Sequence, residues 1–90
     1  MLSPASCQLI SESARKFHVK TVWLFGTALR DGENARDIDL AVEGLDPVLF
    51  FKFYAEVYFG LPKPVDLVDL SQDPPLAPLI RSTGVRIYES

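Results

Sequence analysis

The sequence predicts a small α/β (α+β) domain, a mixed sheet of about four strands flanked by helices. Three observations carry that expectation. Short β-branched and apolar runs (TVWLF, DIDLAV, VDLVDL and VRIY) alternate along the chain with helical segments, and strands interleaved with helices build one central sheet under helical layers. Ninety residues, 48% hydrophobic and 23% charged, are ordinary globular material with room for one thin core. No repeat or Gly/Ser-rich stretch divides the chain, so residues 1–90 are expected to form a single domain.

Each element has a local cause. Ser3-Pro4 is an N-cap followed by a first-turn proline, and Leu9, Ile10, Ala14 and Phe17 then recur at helical spacing, predicting a helix from Pro4 to Phe17. Thr21 to Phe25 reads as a buried strand closed by Gly26. Thr27 to Arg30 allows one helical turn, and DGENAR, from Asp31 to Arg36, is turn chemistry. Asp37 to Val42 is a second strand. Asp46-Pro47 opens a helix expected to run to Phe59, with Gly60 at its end. Val65 to Leu70 is a third strand, Leu79 to Thr83 a short helix, and Val85 to Tyr88 a last strand.

Composition excludes several function classes. Nine Lys and Arg stand against twelve Asp and Glu, a net charge of −3, whereas a protein that grips nucleic acid by its phosphates needs a basic face. A lone Cys7 forms no internal disulfide and suits a reducing compartment. The N-terminal stretch lacks the basic and apolar regions of a secretory signal, and no apolar run nears the roughly 20 residues of a membrane span. A cytoplasmic protein is therefore expected. His18, the only histidine, reads as a solvated loop residue, Trp23 as core, and Tyr88 as core or rim.

The chemistry lies in Asp37-Ile38-Asp39. Residues two apart on a strand share a face, so both carboxylates project together while Ile38 points to the core. Paired anions repel unless a cation sits between them, and hard oxygen ligands at this spacing suit Mg²⁺ with its waters and phosphate oxygens. Upstream, Gly26 at a strand end lets backbone approach a phosphate, and Thr27 adds a hydroxyl. Downstream, Asp66 stands within an apolar strand, where a charge is costly unless coordinated. Asp69 falls on the opposite face of that strand, which makes Asp66 the better third carboxylate and Asp69 a strand-end charge.

These residues resemble the signature of the nucleotidyltransferase superfamily that contains DNA polymerase β. More narrowly, LFGTALRDGENARDIDLAV, PVDLVDL and PLIRSTGVRIYE together resemble a minimal nucleotidyltransferase (MNT) domain, the antitoxin paired with a HEPN-domain ribonuclease toxin. The resemblance implies the nucleotidyltransferase fold, with Gly26 and Thr27 at the β- and γ-phosphates of ATP and Arg30 as a basic residue near them. It implies Asp37, Asp39 and Asp66 as catalytic ligands of Mg²⁺, two ions in number, with Asp66 helping to activate an acceptor hydroxyl. The activity implied is transfer of AMP to a tyrosine of the toxin, which neutralises it. The alternative is an antitoxin that neutralises by binding alone. This chain departs from the family pattern in carrying Thr27 for Ser, Arg36 before the first Asp, and a shorter loop.

One compositional oddity points to the partner. Six of the nine Phe and Tyr residues fall between Phe50 and Phe59, where only Lys52 and Glu56 are polar from Val48 onward. A helix packed on a single sheet hides one face, so Phe50, Phe51, Phe53, Tyr54, Tyr58 and Phe59 cannot all reach the core. Phe50, Phe51, Tyr54 and Tyr58 are the expected partner-binding residues, for a HEPN toxin or within an oligomer of this chain.

Overall fold

The computed structural model describes residues 2–26 and 35–90. Thr27 and Arg30, the turn expected at 27–30 and most of the following polar loop lie outside the described residues. Within them are three α-helices and one four-stranded sheet, whose strands lie side by side in the order 65–69, 38–43, 21–25 and 85–89. Helix α1 spans Pro4–Lys16, strand β1 Thr21–Phe25 and strand β2 Ile38–Glu43. Helix α2 spans Phe50–Gly60, strand β3 Val65–Asp69, helix α3 Ala77–Thr83 and strand β4 Val85–Glu89. The expected mixed sheet is present: β1 runs antiparallel to β2 and β4, and β2 runs parallel to β3.

Local chemistry sets the boundaries. Ser3 Oγ accepts the Ser6 N–H at 3.2 Å, capping α1 where Pro4 begins it. Arg15 and Lys16 occupy the last turn, where cations favour the helix dipole. The helix expected from Asp46-Pro47 onward is in fact two pieces, a 3₁₀ turn at Pro47–Leu49 and then α2. The cause is the cap itself: the Asp46 carboxylate takes the Val48 N–H at 3.0 Å, and its carbonyl takes the Leu49 N–H at 2.8 Å. That i to i+3 bond tightens the first turn. Leu70 likewise belongs to a 3₁₀ turn after β3, and α3 starts at Ala77 rather than Leu79.

The sheet has two unlike faces. Val22, Leu24, Ile38, Leu40, Val42 and Val65 point to one side and pack with Ile10 and Ala14 of α1 and Phe53 and Val57 of α2. Ala41 points to the other side, where Leu70, Ala77 and Ile80 form a smaller cluster with Trp23, Phe25 and Val68 at its margin. Trp23 is half-buried rather than core, with the Arg86 guanidinium 5.5 Å above its ring. Tyr88 is half-buried against the larger cluster. His18 is exposed and takes a left-handed conformation, φ 58°, in the turn before β1. No helix among the described residues is long and apolar enough to cross a membrane.

Phe53 is the largest fully buried side chain and meets Phe17 edge-on, with ring centroids 6.0 Å apart. Phe53→Ala should cost about 3–5 kcal/mol of folding stability through lost burial and a residual cavity. Urea denaturation monitored at Trp23 measures it, and a loss below about 1 kcal/mol would show that α2 does not close this core.

Candidate functional site

Strand register gathers the acidic residues. Asp39 lies opposite Phe25 on β1 and opposite Asp66 on β3. Alternation puts Asp39 and Asp66 on the face that carries Ala41 and Val68, at the end of the sheet where β1 finishes and β2 and β3 begin. Asp37 precedes β2 by one residue and is half-buried, as is Asp39, whereas its neighbour Arg36 is exposed. Ile38 between them is 2% exposed in the larger core. Burial of Ile38 turns Asp39, its neighbour on β2, towards the opposite face of the sheet.

Gly26 belongs to this site for a reason the sequence did not disclose. It follows β1 with φ at 73°, a region that L side chains rarely adopt. A Cβ built there would collide with Asp39 Oδ2 and stand 3.0 Å from Asp39 Cγ. The carboxylate of Asp39 therefore fills the space a side chain would need. The glycine both admits close approach of a ligand to the backbone and makes room for the acid beside it.

Asp66 is exposed on β3, an edge strand of the sheet. The expectation that it lies deep in an apolar strand, where charge needs coordination to be tolerated, is corrected accordingly. Asp69 is occupied otherwise: its carboxylate accepts the Ser71 N–H at 2.9 Å and caps the 3₁₀ turn Leu70–Gln72. Its alternation partners Val65 and Leu67 pack in the larger core, so it faces away from Asp66 along the strand.

The donor set suits Mg²⁺. Among the described residues, no group of three or more His, Cys, Asp and Glu is gathered tightly enough to hold a metal ion. A Mg²⁺ ion ordinarily takes only one or two protein carboxylates and completes its shell with water and phosphate oxygens. Asp37 and Asp39, both half-buried, would supply such a pair.

The aromatic helix divides as its composition requires. Phe53 is fully buried, while Phe50 and Tyr54 are half-buried against the core. Phe51 is 78% and Phe59 85% exposed, Tyr58 40%, and Val48 of the preceding turn 82%. Phe51 stands between two shallow apolar grooves, one of about 240 Å³ lined by Tyr54, Ala55, Tyr58 and Phe59, the other of about 250 Å³ with Pro47, Phe50, Asp69 and Gln72. Phe59 and Val48 were not among the expected partner residues, although each extends the apolar run that flagged this helix.

Tyr54 and Glu56 are perturbed. Burial, then the charge of Asp66, then Tyr58 push the Tyr54 hydroxyl above its ordinary value, so it stays a donor at neutral pH. Its proton goes to the Val65 carbonyl at 2.6 Å. The hydrogen bond from Lys16, 2.9 Å to Glu56 Oε1, holds the Glu56 carboxyl below its usual range. That bond ties α1 to α2 at an exposed position.

Known proteins share this fold. The family model described as polymerase beta, nucleotidyltransferase, matches residues 8–90. No curated protein sequence matches the chain significantly. Among solved structures, a toxin–antitoxin with AMP-PNP aligns at TM-score 0.75 and 22% identity over 93% of this chain and 73% of the other. The toxin–antitoxin MntA–HepT aligns at 0.72 and 21%, over 98% and 74%. The MNT antitoxin complex with the tri-AMPylated HEPN toxin of Shewanella oneidensis aligns at 0.61 and 22%, over 93% and 73%.

Proposed function

The chain belongs to the polymerase β nucleotidyltransferase family, and on that premise we propose that it is a cytoplasmic antitoxin that transfers AMP from ATP to a tyrosine hydroxyl of a partner HEPN ribonuclease toxin. The observation that carries this reading is the register of Asp39 with Asp66 on the neighbouring strand, with Gly26, just past the end of β1, moulded to the Asp39 carboxylate. The likeness of fold to antitoxins solved with AMP-PNP and with a tri-AMPylated toxin supports it.

In this mechanism the acceptor oxygen bonds to the α-phosphorus while the bond from that phosphorus to the bridging oxygen breaks, and pyrophosphate leaves. Asp66 takes the hydroxyl proton. Asp37 and Asp39, with Asp66 completing the set, are the residues that hold Mg²⁺. When bound, the ion neutralises the phosphate charge and favours in-line displacement. Gly26 lets the polyphosphate lie against backbone; Thr27 and Arg30, expected beside it from the sequence, lie outside the described residues. Most of the acceleration comes from positioning and charge neutralisation, as in phosphoryl transfer generally.

The acceptor arrives on another protein, and the exposed face of α2 is where it docks. An apolar strip of Phe51, Tyr58 and Phe59 flanked by two grooves suits a protein surface. Incubation with α-labelled ATP, Mg²⁺ and the co-encoded HEPN-domain protein should label that partner on tyrosine, and EDTA should stop the labelling. Neutralisation of the partner without any label would sink the enzymatic reading and leave antitoxin action by binding alone. Phe51→Glu should weaken the complex at least tenfold in a titration, since it places a charge in a desolvated contact.

A further inference from the structure

Tyr54 belongs, by its position, to the half-buried side of the aromatic helix, and we infer that it is a positioning residue whose hydroxyl holds the start of β3 so that Asp66 stays opposite Asp39. The inference rests on the transferase reading of those two carboxylates. Its basis is the hydrogen-bond pattern at the open edge of the sheet. The Pro64 carbonyl takes the Ile38 N–H at 2.9 Å and so faces β2. Successive carbonyls of a strand alternate in direction, which turns the Val65 carbonyl outward, where β3 has no further strand beside it.

Val65 itself is 1% exposed, and a shielded carbonyl without a donor is costly. Tyr54 supplies that donor from α2 at 2.6 Å. Its ring is held edge-on between Phe50 and Tyr58, each with its centroid 6.1 Å away, so the hydroxyl is delivered by a side chain already fixed in place. The residue anchored in this way is the immediate neighbour of Asp66. A strand at a sheet edge is secured by a ladder on one side only, and here the bond from Tyr54 secures the other. The hydroxyl of Tyr54 is spent on the Val65 carbonyl and so acts through Asp66, while its ring lines the groove beside Phe51.

Tyr54→Phe keeps the ring and removes the donor. Amide hydrogen exchange at Asp66 and Val68 should quicken about three- to tenfold, while β1 amides are unchanged. Label transfer from ATP to the HEPN-domain protein should fall about tenfold in kcat, with KM for ATP and affinity for the partner retained. Unchanged exchange along β3, or unchanged kcat in the variant, would overturn the inference. So would a loss of partner affinity with exchange unaltered, which would make Tyr54 a docking residue. If the wild-type chain transfers no label, the transferase reading fails by itself, and the exchange measurement still decides whether Tyr54 fixes β3.

Discussion

Asp39→Asn should reduce nucleotidyl transfer by about a thousandfold or more while leaving a cooperatively folded protein. Asn has the shape of Asp and keeps one acceptor oxygen, so the substitution isolates charge. That charge matters most where the phosphate oxygens and a divalent cation meet, and preorganised electrostatic groups in such sites are typically worth factors of about 10² to 10³ each. Asp39 is also the central member of its group, in register with Asp66 on one side and packed on Gly26 through the strand on the other. Folding should suffer little, because Asn keeps the size and shape of Asp beside Gly26. Thermal unfolding and labelled-ATP transfer, measured on the same preparation, test the two halves separately. Residual transfer within tenfold of wild type would remove Asp39 from the mechanism.

Gly26→Ala should show the second-largest effect, a loss of transfer of about a hundredfold, with a stability cost of about 1–2 kcal/mol from the left-handed backbone. Two separate penalties act here. The positive φ disfavours any L side chain, and the new methyl meets the end of the Asp39 side chain. A carboxylate terminus can swing aside where backbone could not. The fold therefore survives and the acid is displaced, which is why activity should fall further than stability. Nucleotide affinity by calorimetry and transfer kinetics together measure the displacement. A variant that loses stability but transfers normally would show that the carboxylate had room to spare.

What the sequence could and could not disclose follows from the range of the interactions. Period-two alternation is local, so the inward face of Ile38 was legible, and so was the placing of Asp69 on the face opposite Asp66. The caps Ser3 and Asp46 were legible for the same reason. Register is not local. The pairing of Asp39 with both Phe25 and Asp66 depends on the turn between β1 and β2 and on the α2 crossover, and no spacing rule supplies it. The apolar run around Asp66 suggested a buried strand, yet β3 is an edge strand and the acid is exposed. For α2, composition required that some aromatics stay outside. Only packing decided that Phe53 goes in and that Phe51 and Phe59 remain out.

The parallel pairing of β2 with β3 also has a consequence in time. Asp37 and Asp39 are neighbours along the chain, and the antiparallel ladder of β1 and β2 brings Gly26 to them across one short connection. Asp66 can join only after α2 has formed and carried the chain back across the sheet, a closure of much higher contact order and therefore slower. The contact of Gly26 with Asp39 therefore closes a shorter stretch of chain, and faster, than the pairing of Asp39 with Asp66.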